Sequence, residues 1–426
     1  MPCGPPIPGL WDAIQMLPDR EAPGVVRESR RCLTSPGSTP KGYTLRHPTM
    51  KPTSSRIAYL DNLRILVTIL VVLHHVAITY GAPGDWYFYD TPVSELGIVL
   101  LTIFVALNAS FFMGLFFLLA GYFTPRSRDR KGSVRFLGGR LIRLGIPLAV
   151  FSLLLDPLIR ATLTVRVWSP GSRFWPAFVS YASDLSFTPG PLWFVTALLI
   201  FATTYTVLGA AAARVRRSRP SRPLRLTNRK IVVFGLLIGL TTFVVRVFIP
   251  SGETWFVFQL GDFAQYIALY VAGVLAYRHG WFDRLTPRDG RRWRWAAIGI
   301  ALALPAIGFL GGAFDGDPSE YLGGFRWESL LGSLWWAMEG VAIAMALLTT
   351  FKERLSRQTS IAREAARCTY GVYVLHAPIV VSVSLFLLPT GLNPSIKLLL
   401  TACISVAACF VVAAGLRRIP LVNRIL

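Results

Sequence analysis

The sequence predicts an all-α, polytopic integral membrane protein with about ten transmembrane helices and both termini cytoplasmic. Three observations predict it. Mean hydropathy is +0.51, and 53% of the 426 residues are hydrophobic, values found in membrane proteins and not in soluble two-domain chains. Apolar runs recur at the length that a bilayer requires, and basic residues fall in alternate connections between them. A net charge of +22 would suit nucleic acid if it lay on one soluble face. Here the Lys and Arg sit in short clusters between apolar runs, so they read as membrane topology and no nucleic-acid partner is expected.

Residues 1–55 are rich in Pro, Ser, Gly and Arg without apolar periodicity, and are predicted to be a disordered tail. Met50 offers an alternative start, which would make residues 1–49 an upstream extension. The first apolar run begins only after residue 60, so no cleaved secretory signal is expected. Residues 56–426 form the predicted transmembrane domain. A hydrocarbon core of about 30 Å needs roughly 20 apolar residues in a helix, and ten stretches qualify: 62–80, 97–122, 144–160, 191–213, 231–249, 258–277, 295–313, 328–350, 369–389 and 395–415. The third is short, and the sixth contains Asp262.

The connections test this assignment independently, because Lys and Arg concentrate in short cytoplasmic loops. Those after even-numbered spans hold 29 basic residues, including Arg126, Arg128, Arg130, Lys131, Arg135, Arg140 and Arg143. The opposite side holds five: Arg160, Arg166, Arg173, Arg326 and Lys397. An error of one span would scramble this alternation. Five cysteines show no paired spacing, so neither a disulfide framework nor a metal site is predicted.

Ionisable groups inside a span are costly and tend to face the protein interior. They are Arg64, His74, His75, Arg246, Asp262, Glu339 and His376. The first span reads LDNLRILVTILVVLHH from Leu60 to His75. Arg64 and His75 lie eleven residues apart, which returns to within roughly 20° of the same helix face, about 16 Å along the axis. His74 lies about 100° away. Two readings stand: a cation and an imidazole on one face of a functional interior, or a snorkelling arginine anchor with two packing histidines. Asp61 and Asn62 fit a helix cap.

RIAYLDNLR followed by LVVLHH resembles the opening of the membrane-bound acyltransferase type 3 family, whose hallmark is an Arg, ten intervening residues and a His. Arg64 and His75 match it. FFLLAGYF (Phe116 to Phe123), RFLGGRLIRLGIPL (Arg135 to Leu148), GPLWFVTALLIF (Gly190 to Phe201) and TYGVYVLHAPIV (Thr369 to Val380) resemble later segments of the family, in order. The resemblance covers about residues 56–415 and implies ten spans in the cell membrane. It also implies an O-acyltransferase, similar to glucan succinyltransferases, that moves an acetyl or succinyl group from acyl-CoA to a hydroxyl of a carbohydrate or similar acceptor.

The chemistry agrees. An alcohol attacking a thioester must lose a proton, and a low-dielectric interior favours the uncharged imidazole that can accept it. His75 is therefore the expected general base, and Arg64, on the same face about three turns away, is the second catalytic candidate. Coenzyme A brings several phosphate charges, and Arg140 and Arg143, three residues apart, are candidates to bind them; topology and anionic lipid would account for the same cluster. No bound cofactor is expected, acyl-CoA being a co-substrate.

Four further residues are candidates for substrate binding. Trp193 sits where an aromatic belt is expected, with packing as its default role. His376 precedes Ala377 and Pro378, and the proline could free a carbonyl for the imidazole. Asp262 and Glu339 could orient His75 or neutralise Arg246. Only Leu416 to Leu426 follow the last span, so no appended soluble transferase domain is expected there. The rival reading is a transporter or flippase; against it, no internal repeat is visible in the two halves.

Overall fold

The computed structural model describes residues 55–184, 187–215, 224–310 and 318–425. Eleven main helices follow one another: α1 (Ser55–Thr79), α2 (Glu95–Lys131), α3 (Ser133–Trp168), α4 (Phe174–Ser183), α5 (Trp193–Val215), α6 (Asn228–Phe248), α7 (Phe263–His279), α8 (Pro287–Leu310), α9 (Trp327–Arg354), α10 (Ser360–Leu387) and α11 (Pro394–Leu416). No β-strand occurs among the described residues. Nine helices there are long and apolar enough to cross a membrane. The remaining expected span falls on α8, and its expected end at 313 lies outside the described residues. The expected tail lies outside them too, except for Ser55, which opens α1.

Polar side chains start several helices by accepting otherwise unpaired backbone N–H groups. Ser94 accepts from Gly97, Thr227 from Lys230, Thr359 from Ala362 and Asn393 from Ser395. Asp61 and Asn62 are not caps, since α1 has already run for six residues. Asp61 instead pairs with Arg64, and Asn62 donates to the carbonyls of Leu355 and Arg357 at 2.8 and 2.9 Å, satisfying orphan acceptors where α9 ends.

Hydropathy placed the third span at 144–160, but α3 is a continuous helical path of 36 residues. It takes in Arg140 and Arg143, which therefore lie on the helix and not in a loop. Its regularity is broken by π-type turns at Leu141–Gly145, Phe151–Leu155 and Thr164–Trp168. The first has a visible cause: Pro147 has no N–H, so it cannot bond the carbonyl of Arg143 four residues back. The hydroxyl of Tyr370 on α10 donates to that carbonyl at 3.0 Å, which ties α10 to the wide turn.

The main core runs through α1, α2, α5, α7 and α10, and a second apolar cluster joins α6, α8 and α9. Helices α2 and α7 approach most closely at two glycines. A Cβ on Gly121 would strike the carbonyl of Tyr270, and one on Gly273 the carbonyl of Leu118. Small residues serve this purpose between membrane helices, where backbones must come together. Outward, Leu236, Val244, Leu302, Phe386, Leu399 and Val411 are exposed, an apolar surface suited to lipid and not to water.

Candidate active site

Helix α1 carries both ends of the site. At its Arg64 end, the guanidinium bonds Asp61 at 3.1 Å and lies 4.6 Å from the ring centre of Phe123 on α2. Arg140 and Arg143 come from the first π-type turn of α3 and its flank, and the three arginines lie within electrostatic reach of one another. A π-type turn advances each residue by less than an α turn, so the wide turn at Leu141–Gly145 alters the angle between Arg140 and Arg143 from its α-helical value. They still converge on Arg64. Arg140 stands 5.4 Å over Phe136, and Arg143 is exposed. Grouped guanidinium groups with one nearby carboxylate form a net positive patch able to hold phosphate oxygens.

Three helical turns away, His75 is half-buried, and its surroundings are aromatic. The indole of Trp86, from the loop after α1, stacks on the His75 ring with centroids 3.9 Å apart and planes 16° apart. His376 on α10 lies 5.1 Å from His75 and 6.0 Å from Trp86. The last distance is too short for a sandwich, so His376 lies beside His75 while Trp86 covers its face. His74 points elsewhere: it packs on Phe112, and its Nδ1 lies 3.3 Å from the Asn108 amide nitrogen.

The tautomer of His376 follows from its partner. Its Nδ1 lies 2.6 Å from the carbonyl oxygen of Tyr373, and a carbonyl can only accept. Nδ1 therefore carries the proton and donates it, leaving Nε2 of the neutral ring as an acceptor. Pro378 withholds an N–H from the carbonyl of Val374, not from that of Tyr373, so the carbonyl the imidazole takes is not the one the proline frees. The hydroxyl of Tyr373 in turn donates to the carbonyl of Pro191. Two of the segments singled out in the sequence, Gly190 to Phe201 and Thr369 to Val380, are joined by this tyrosine.

The other candidates separate. Trp193 packs among Phe117, Phe194, Phe263 and Tyr266, with ring centres 5.5 to 6.4 Å away. Asp262, just ahead of α7, is committed to Arg246 at 2.6 Å, and both are almost fully buried. Ser251 also donates to Asp262, and Arg246 reaches Ser333. Of the two tasks open to Asp262 in the sequence, it performs the neutralisation of Arg246. Glu339 on α9 is buried, and its Oε2 has no hydrogen-bond partner among the described residues.

Sequence reasoning missed Trp86, Asn108 and a network at the His75 end of the bundle. There Asp156 on α3 accepts from Tyr87 at 2.5 Å, Arg160 at 2.7 Å and Thr188 at 3.1 Å. Burial first, and the charge of Asp156 second, push the Tyr87 phenol above its ordinary range, so it stays protonated and donates. Gly190 adopts φ +48°, and a Cβ there would strike the Tyr87 hydroxyl. The available signal was the run Trp86, Tyr87, Phe88, Tyr89, four aromatics that a solvated loop has no need of; Trp86 and Phe88 are in fact buried.

A family model described as an acyltransferase domain matches residues 57–414. Glucans biosynthesis protein C from Salmonella schwarzengrund (strain CVM19633) and from Salmonella heidelberg (strain SL476) are each 23% identical to the chain over 231 residues, 52% of this chain and 58% of the relative. The match thus spans little more than half the length of those relatives. No solved structure matches the chain.

Proposed function

The chain belongs to the membrane acyltransferase type 3 family, and from that premise we propose that it moves an acetyl or succinyl group from acyl-CoA to a hydroxyl of a carbohydrate or similar acceptor. The observation that carries the proposal is the division of α1, with guanidinium groups gathered at one end and a half-buried imidazole at the other. In this reading the phosphates of the donor rest among Arg64, Arg140 and Arg143. That end of α1 packs against Phe123, next to the basic end of α2, which the distribution of charge assigns to the cytoplasm. The thioester then extends along α1 toward His75.

The acceptor oxygen attacks the thioester carbonyl carbon while His75 takes its proton, the general base of the step. As the tetrahedral species collapses, the C–S bond breaks and the proton passes to the departing thiolate, releasing CoA and the ester. The name of the relatives speaks of glucans, which supports a carbohydrate as the acceptor.

Purified protein in liposomes, given labelled acyl-CoA and an oligosaccharide, is expected to release CoA thiol and label the oligosaccharide. Replacing both Arg140 and Arg143 with glutamine should raise the KM for acyl-CoA by roughly tenfold or more, because each charge-assisted bond contributes about 1.5–3 kcal/mol. The value of kcat should change far less. Transfer that is absent with every acyl-CoA tested, in wild-type protein that is folded and monodisperse, would contradict the proposal.

A further inference from the structure

Three buried polar atoms, carried by three rings that pack on one another, have no hydrogen-bond partner among the described residues. They are Nδ1 of His75, Nε1 of Trp86 and Nε2 of His376. Trp86 is 8% exposed and His376 is fully buried, so bulk water is not their partner. Buried polar groups in folded proteins are almost always bonded, and three such atoms on rings within 6.0 Å of one another mark a place prepared for a ligand.

The character of two of these atoms is fixed. An indole nitrogen can only donate. Nε2 of His376 is held as an acceptor, because the proton stays on Nδ1, which donates its hydrogen bond to the Tyr373 carbonyl. The transfer reaction needs such a pair. The thioester carbonyl oxygen gains negative charge as the acceptor adds, which calls for a donor; a hydroxyl-bearing acceptor must be held by its O–H, which calls for an acceptor.

We infer that Trp86 and His376 complete the reaction centre around His75. Trp86 donates its indole N–H to the acyl carbonyl oxygen, and His376 accepts from a hydroxyl adjacent to the one that reacts. This inference rests on the acyl-CoA reading above. In the balanced step the reacting oxygen forms the new C–O bond and its proton goes to His75. The C–S electron pair leaves with sulfur, and the carbonyl oxygen carries its transient charge against Trp86. His376 exchanges no proton and is a positioning residue. Because it lies beside His75 and not across from it, two neighbouring hydroxyls can each direct a proton at one imidazole. The acceptor class is thereby a vicinal diol, as on a sugar ring, in preference to an isolated alcohol.

Two variants test this in purified protein reconstituted in liposomes, using labelled acyl-CoA and two acceptors, an oligosaccharide and a simple monohydric alcohol. Trp86→Phe keeps an aromatic ring against His75 and removes the N–H together with part of the indole surface. It is expected to lower kcat by about 10²-fold, the effect of losing one oxyanion donor. His376→Gln is expected to raise the KM for the oligosaccharide at least tenfold, to leave the KM for acyl-CoA within twofold, and to erase the preference for the oligosaccharide over the alcohol. A merely structural role would lower both reactions together. Trp86→Phe with kcat within threefold of wild type overturns the donor assignment, and equal loss toward both acceptors in His376→Gln overturns the diol assignment. Wild-type protein that never turns over acyl-CoA overturns the underlying reading, and this one with it, whereas an active wild type with unaffected variants overturns only this one.

Discussion

His75→Asn is expected to lower the rate of acyl transfer by about 10²- to 10⁴-fold, the contribution of a positioned general base, while the protein still accumulates in the membrane. The expectation is specific because the ring makes few structural bonds. Its Nδ1 has no partner among the described residues, and its packing is a stacked face against Trp86. Loss of the imidazole therefore removes a proton acceptor and leaves the helix in place. His74→Gln supplies the comparison, since His74 is occupied with Asn108 and Phe112 and its replacement should cost far less activity. Single-turnover transfer from labelled acyl-CoA, normalised to folded protein by size-exclusion profile, reads both. A His75→Asn variant within tenfold of wild type would remove His75 from the proton-transfer role.

Asp262→Ala should act on stability instead. Arg246 is 2% exposed and pairs with Asp262 at 2.6 Å. Removing the carboxylate strands a buried guanidinium, a change that costs about 3–5 kcal/mol when one partner of a buried pair is lost. The expected results are a large drop in folded protein and a lowered Tm in detergent. The double replacement Arg246→Met with Asp262→Leu, which strands no charge, should recover most of that loss. If Asp262→Ala stays as stable as wild type and shows only a raised KM for the acceptor, the pair is not structural and Asp262 belongs to the substrate site.

The elements most legible in the sequence were those governed by a single physical rule. Bilayer thickness fixes how many apolar residues a span needs, so α1, α6, α9 and α11 lie close to their expected places. The family pattern and helical spacing on α1 named Arg64 and His75 without any knowledge of their neighbours. Where packing decides, the sequence was silent. The π-type turn that carries Arg143 depends on a tyrosine from α10 meeting a carbonyl left open by Pro147, a partnership across 227 residues. Nothing in the periodicity of the loop after α1, which contains Gly81, Pro83 and Gly84, shows where Trp86 packs. It is the return of that loop onto α1 that places the indole on His75. Asp262 read as an ionisable group within a span, and it stands in the first turn of the span at Leu260–His279, but its partner, Arg246 in the last turn of α6, could not be picked out from one sequence.

The most direct measurement is a cryo-EM structure of the protein in a lipid nanodisc with a non-hydrolysable thioether analogue of acyl-CoA. The phosphates should rest among Arg64, Arg140 and Arg143, with the acyl carbonyl beside His75 and within hydrogen-bonding reach of the Trp86 indole nitrogen. An analogue bound elsewhere, or an acyl group separated from His75 by intact helix packing, would contradict the placement of donor and base along one helix.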